Sequence, residues 1–282
     1  MLKSSTKYFT KIKQSRMPVD LILIRNGTSE GNVAIKRARL GSRSEFSQNF
    51  CQMHNSRWRL TEFGIMQAKS TGEWLKANFK QPFTCYLTGE YASSLETAAC
   101  LELEGAKWIP SLYLRPRDYG TLSQFDFLPD KKELQRHMKD RELDTFYWAP
   151  PNGESIAHLT LRTERVMHWL RTHVPENGTA VIVTHRDVME TFRIRLEQLL
   201  QFDYNRVIVN AKEPFKLNHC SLLHYTRRNP ETGEIGPLYQ WMKVNTPWMG
   251  KQYSNRKFVK ISPPGFTNEN LLERMTRSND KK

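Results

Sequence analysis

The chain has 282 residues, a formal net charge of +14, 38% hydrophobic residues and four cysteines, and its mean hydropathy is −0.65. That length suits one α/β domain with appendages, and no apolar run approaches the roughly 18 residues a membrane-crossing helix needs. Cys51, Cys85, Cys100 and Cys220 form no Cys-x-x-Cys pair and no ligand-spaced cluster with histidine, so reduced thiols, no structural metal and no cofactor are expected.

The charge sits mostly at the two ends. Residues 1–19 carry five basic residues and no acid, and residues 246–282 carry eight basic and three acidic residues, which leaves only +4 for the stretch between. The first 17 residues, basic, acid-free and containing serine and threonine, have the composition of a mitochondrial targeting segment, so the matrix side of the mitochondrion is the expected location. A basic tail on a cytoplasmic protein is the alternative.

The first predicted element is a strand over Leu21–Ile24, four apolar residues introduced by Pro18 and buried on both faces of a parallel sheet. Arg25, Asn26 and Gly27 stand at its carboxyl end, the edge where open α/β sheets bind ligands. Residues 33–58 read as a polar excursion whose arginines, Arg37, Arg39, Arg43, Arg57 and Arg59, rim a pocket or face solvent. A helix follows from the N-cap Thr61 to Ala77, with Ile65, Ala68 and Leu75 as its core face. Next come a strand at Thr84–Leu87, a helix over Ser94–Glu102 and a strand near Trp108–Leu114.

An insert at about 121–150 holds a charge-dense helix over Asp130–Leu143, bracketed by Phe125, Phe127, Phe146, Tyr147 and Trp148. Gly153-Glu154-Ser155 opens a helix through Trp169, Asn177-Gly178 turns into a strand at Ala180–Thr184, and a helix runs over Asp187–Leu200. Two late strands, His219–Tyr225 and Leu238–Val244, close the domain at residue 245. Residues 246–282 read as a basic, aromatic arm that orders on a partner, with a brief helix at Asn268–Thr276.

Four of these segments carry a resemblance. RNGTSEGN at 25–32, RLTEFGIMQA at 59–68, PPNGESIAHLTLRTERV at 150–166 and VIVTH at 181–185 resemble, in order and spacing, the motifs of the histidine phosphatase superfamily, the phosphoglycerate mutase-like proteins. The resemblance implies an α/β three-layer sandwich over residues 18–245, with a mostly parallel central sheet flanked by helices. It also implies a chemistry: a histidine after the first strand takes up the phosphoryl group, a glutamic acid protonates the leaving oxygen, and two arginines and a second histidine hold the charged oxygens.

Matched to that pattern, several positions of this chain are altered. Asn26 stands where the nucleophile belongs, and a carboxamide nitrogen offers no basic lone pair for a phosphoenzyme. Ser93 stands at the second arginine, with Glu90 nearby opposing a phosphate, and Pro116 stands at the acid. Asp118 matches a different position of the pattern and is not expected to reach a leaving group. Arg186 replaces the glycine after the second histidine and brings a bulky cation to the pocket mouth. Arg25, Thr184 and His185 remain with Asn26 as a vestigial anion pocket. That remnant is either a residual anion site or a decayed pocket whose residues satisfy their neighbours, and the three losses favour the second.

The expected function is that of a catalytically inactive protein serving as an accessory subunit of a larger, mitochondrial assembly, such as a respiratory complex or a mitochondrial ribosome. Its partners would be other protein subunits bound through the two arms, and a homo- or heterodimer with a related chain is implied by the resemblance. A residual phosphomonoesterase or phosphoglycerate mutase-like enzyme is one alternative. An RNA-associated subunit is another.

Overall fold

The structure, a computed structural model, describes residues 16–40, 50, 52–120, 132–263 and 265–279. The basic residues 1–15, Arg43, Cys51, Phe125 and Phe127, on which several expectations fall, lie outside the described residues. Strand β1 (Asp20–Arg25) is the centre of the molecule, and Leu21, Ile22, Leu23 and Ile24 are all fully buried. Successive side chains of a strand point to opposite faces, so an unbroken apolar run needs cover on both sides. Leu21 and Leu23 enter one core with Leu159, Val166, Leu170, Val188 and Phe192, while Ile22 and Ile24 enter a second with Leu75, Ala98 and Leu101.

These two cores separate three layers. The sheet has seven strands in the order β3-β2-β4-β1-β5-β6-β7, formed by β1, β2 (Cys85–Gly89), β3 (Ile109–Ser111), β4 (Thr179–Thr184), β5 (Leu222–Thr226), β6 (Trp241–Asn245) and β7 (Val259–Lys260). The first four are mutually parallel, and the last three add on antiparallel to β1 and to one another. The sheet is therefore mixed, and β5 is an interior strand.

On one face lie α2 (Glu62–Asn78) and α3 (Ala92–Cys100); on the other lie α5 (Ile156–His173) and α6 (Arg186–Leu196). Thr61 caps α2 as expected, its hydroxyl accepting from Gly64 N at 3.1 Å. The buried face of α2 is Gly64, Gln67, Ala68, Thr71, Gly72 and Leu75, spaced by three and four residues. Ile65 falls off that stripe and is 36% exposed, so it is not core. Gly72 lets α2 approach the end of α3: a Cβ there would lie 2.0 Å from the Leu101 carbonyl oxygen.

Two expectations are corrected. The start of the polar excursion is helical, forming α1 (Glu30–Arg39), because Ser29 and Asn32 make a reciprocal cap, Asn32 N donating to Ser29 Oγ and Ser29 N to Asn32 Oδ1. The chain after Pro247 also does not leave the domain at once. Thr246 N donates to Tyr253 O, Ile261 N donates to Gln240 O, and β7 pairs with β6 before α7 (Asn268–Asn279) begins. The aromatic residues that gave this segment its arm-like composition have partners in the domain itself. Phe258 packs 5.1 Å from the His224 ring and Trp248 packs edge-on against Phe63 at 5.3 Å. In the insert, α4 (Lys132–Leu143) forms as expected, and Phe146 packs on Tyr204 at 5.7 Å whereas Tyr147 is exposed.

Candidate functional site

The carboxyl ends of β1, β2 and β4 open into a cleft of about 690 Å³, the edge at which such sheets place ligands. Arg25, Asn26, Ser93, Pro116, His185 and Arg186 all line it, so the structure brings together six of the seven residues singled out from the sequence. Thr184 is the exception. It is fully buried and its hydroxyl donates to Leu114 O at 2.8 Å, which braces the loop after β3 and leaves nothing to offer a ligand. Glu90 is exposed and is not among the residues lining the cleft, although its charge reaches the lining residue Tyr91. Asp118 caps Gly120 N at 2.7 Å and likewise lies outside the lining.

The turn after β1 is held tightly. Asn26 N donates to Thr184 O at 2.8 Å, Gly27 N donates to Thr97 Oγ1 at 2.9 Å, and the Asn26 amide Nδ2 donates to Gly27 O at 2.9 Å. A Cβ on Gly27 would lie 2.7 Å from the Gly64 carbonyl oxygen, so only glycine lets α2 pack this close. The Asn26 side chain is thus pinned, with a carboxamide that can accept or donate hydrogen bonds but cannot act as a base or nucleophile.

Arg25 donates to Leu217 O at 2.8 Å and to His219 Nε2 at 3.1 Å, while its Nε has no partner among the described residues. Burial and the neighbouring Arg186 pull it down to about 10, so it stays a cation at neutral pH. His219 accepts at Nε2 from that guanidinium and donates from Nδ1 to Asn26 O at 3.0 Å, which fixes the neutral tautomer. Burial, then the Arg25 charge, lowers it to about 3. His185 is lowered to about 3 by the same two causes, and its Nε2 lies 2.9 Å from the Ser94 hydroxyl. Two uncharged imidazoles therefore flank one fixed cation.

His219 was not singled out from the sequence. It lies 193 residues from Asn26, and only the antiparallel pairing of β5 with β1 places the residues before β5 beside the end of β1. Trp248 holds it from behind, donating from Nε1 to His219 O at 2.7 Å.

The opposite wall is built by residues 115–119. Arg117 donates from Nε to Glu154 O at 2.7 Å and from Nη2 to Trp148 O at 3.1 Å, and its guanidinium lies 5.1 Å from the Tyr119 ring and 5.6 Å from the Trp148 ring. Arg162 fastens this wall from below, with donors to Pro116 O and Arg115 O at 3.1 Å and a bidentate grip on Glu154. Arg186 lines the cleft but turns its Nε onto Glu190 at 2.7 Å; burial, then the neighbouring Asp187, pushes the Glu190 carboxyl up. Asp187 accepts from the Tyr119 hydroxyl at 2.9 Å.

Two helices start at the cleft without a side-chain cap, α3 after Tyr91 and α6 after His185. The positive end of each helix dipole favours an anion, as the Arg25 guanidinium does. Among the described residues no cluster of histidine, cysteine, aspartate or glutamate has the makings of a metal site, and no helix is long and apolar enough to cross a membrane. Cys85, Cys100 and Cys220 are free thiols.

A family model, the histidine phosphatase superfamily (branch 1), matches residues 21–228. The chain belongs to that superfamily. The 2,3-bisphosphoglycerate-dependent phosphoglycerate mutase of Bartonella quintana is 26% identical over 190 residues, 64% of this chain and 82% of the relative. That of Methylorubrum populi is 30% identical over 173 residues, 58% of this chain and 71% of the relative. Among solved structures, a mycobacterial glucosyl-3-phosphoglycerate phosphatase superposes with a TM-score of 0.53 at 20% identity, covering 73% of this chain and 92% of the other. A putative α-ribazole-5′-phosphate phosphatase from Escherichia coli superposes with a TM-score of 0.56 at 17% identity, covering 79% and 96%. These likenesses extend the superfamily fold to this chain. The matched segment ends before β6, β7 and Trp248, whose Nε1 donates to His219 O behind the cleft.

Proposed function

We propose that this protein keeps the histidine phosphatase fold and the anion-gripping floor of its cleft but performs no phosphohistidine chemistry, and that it serves as an accessory subunit of a larger assembly. The observation that carries the first part is Asn26. At the end of β1, where the superfamily's resemblance calls for the attacking imidazole, stands a pinned carboxamide with no basic nitrogen. Pro116 offers no proton to a leaving group, and Ser93 offers a hydroxyl where a guanidinium is called for. Loss of a positioned acid alone typically costs about 10²–10⁴ in rate.

The anion floor has better support than decay. Arg25 lines the cleft as a charged guanidinium, and α3 and α6 begin at the same cleft without a side-chain cap. The accessory role rests on the basic ends of the sequence and their composition. In this reading the matrix side of the mitochondrion is the setting, with a respiratory complex or a mitochondrial ribosome as the assembly, and other protein subunits as the partners.

A second reading is a residual phosphatase that uses His185 directly. It is favoured by the neutral state of that imidazole, which leaves a lone pair on one nitrogen at physiological pH. The test is twofold. Purified protein hydrolyses a generic phosphomonoester no faster than a blank, and turnover abolished by His185→Ala overturns the inactive reading. Affinity purification at native salt retains a fixed set of protein subunits; retention on RNA at physiological salt with release at moderate salt would favour an RNA-associated subunit instead.

A further inference from the structure

We infer that the cleft takes a nucleoside phosphate, with the phosphate on the Arg25 floor and the base among the aromatic side chains of the walls. This rests on the reading of the floor as an anion site. A single inorganic anion would occupy only the floor, yet the cleft extends to about 690 Å³, a volume that encloses an organic ligand. The walls beyond the floor present Trp58, Tyr91, Tyr119 and Trp148. A small hydroxy acid phosphate gains little from aromatic rings, whereas a planar base stacks on them, because every base has a π-face.

Trp58 closes one wall, stacked on Phe50 at 5.2 Å and 6° between planes and with Gly31 packed against its ring, so the stacking surface falls to the other rings. Tyr91 is set edge-on to His185 at 5.8 Å and to His54 at 6.3 Å, which fixes its orientation without burying both faces. Arg117 is buried, bonded to Glu154 O and Trp148 O and held against the Tyr119 and Trp148 rings, so it sets the position of both rings. Lys36 from α1 and Arg141 from α4 add charge among the lining residues, while Asp187, the acid among them, accepts from the Tyr119 hydroxyl.

A second observation points to a hydrogen-bonding ring. Asn55 Oδ1 and Trp58 Nε1, an acceptor and a donor on two residues that line the cleft, are buried without partners among the described residues. Those are the two roles a base edge complements, and an unpaired buried polar group is costly to keep otherwise. Both atoms are closed to water, so pairing them requires those two residues to shift when the ligand enters.

The test is calorimetric titration of the full chain with adenosine 5′-monophosphate, adenosine, orthophosphate and 3-phosphoglycerate. Adenosine 5′-monophosphate is expected to bind at least tenfold tighter than either other anion, about 1.4 kcal/mol, and tighter than adenosine. Trp148→Leu, or Tyr91→Leu should the first variant fail to fold, is expected to bring its affinity down to that of orthophosphate. A 5′-phosphorylated ribonucleotide tetramer identifies the source: tighter binding than the monophosphate assigns the site to an RNA end, weaker binding to a free nucleotide. Orthophosphate binding as tightly as adenosine 5′-monophosphate overturns the inference and leaves the anion floor standing. Absence of binding by all three anions overturns both.

Discussion

Replacing Glu154 with glutamine probes the brace under the cleft wall. The carboxylate accepts Arg162 Nε at 2.8 Å and Nη2 at 2.9 Å, Arg115 Nη2 at 3.3 Å and the Asp118 amide at 3.0 Å. The Glu154 and Arg162 side chains are only 15% and 11% exposed. Breaking a buried ion pair costs about 3–5 kcal/mol. Here Arg162 keeps three carbonyl acceptors, Tyr113 O, Arg115 O and Pro116 O, and glutamine keeps one oxygen. The expected loss is therefore lower, about 2–3 kcal/mol, or roughly 4–10 °C in Tm for a domain of this size. Urea titration followed by tryptophan fluorescence, with a thermal scan alongside, measures it.

The same carboxyl supplies a pH signature. Burial raises its pKa, but the Arg162 hydrogen bonds and charge outweigh burial and leave it below the usual value of 4.5. A group lowered in the folded state contributes its stability above the unfolded pKa and loses it as pH falls through the folded one. The gap between the native protein and Glu154→Gln is thus widest near pH 7 and closes as pH falls below about 4.5. A variant within about 0.5 kcal/mol of the native protein at pH 7, or a gap that does not close in acid, would refute this reasoning.

Further outcomes follow from the same geometry. His185 and His219, both lowered to about 3, stay neutral across pH 5–8, so their imidazole NMR shifts are flat in that range; a titration near 6.5 contradicts their burial. Because the unfolded chain protonates them near 6.5, their contribution to stability is complete above that pH and declines as pH drops towards 3, and His219→Gln flattens this part of the stability profile. Trp248→Phe retains the contact with Phe63 but loses the bond to His219 O, and is expected to weaken orthophosphate binding several-fold with little change in Tm. Gly64→Ala drives a Cβ to 2.2 Å from Thr28 O and should cost about 1–3 kcal/mol or more in urea unfolding; an unaffected midpoint would show that the turn after β1 yields easily.

The sequence reveals an element where its residues carry a local, repeated signal. The four-residue apolar run of β1 and the caps Thr61 and Ser155 mark their strand and the starts of their helices, and the structure places these within a residue or two of expectation, while α5 runs on to His173, four residues past the expected end at Trp169. Helix α1 is harder to read because Lys36, Arg37 and Arg39 mask its apolar stripe; the signal that could have found it is the Ser29-x-x-Asn32 cap with Glu30 in the first turn. β7 escapes because its two residues carry no alternation, and only the unpaired edge of β6 gives them a reason to be extended. At the site, residues next to strand ends are legible from chain position, as with Arg25, Asn26 and His185. His219, Trp248 and Arg117 are not, since each reaches the cleft through a long-range pairing or a loop fastened by Arg162. Thr184 shows the opposite failure, a site position by spacing that the register of β4 turns into the core.

The claim on which the account turns is that no phosphoryl group is ever carried by this protein. Intact-mass measurement of the full chain during incubation with excess phosphomonoester, with the Asn26→His variant in parallel, tests it directly. The account predicts that the native chain keeps its unmodified mass throughout; a native chain heavier by one phosphoryl group, mapped to His185 or to any other residue lining the cleft, would contradict it.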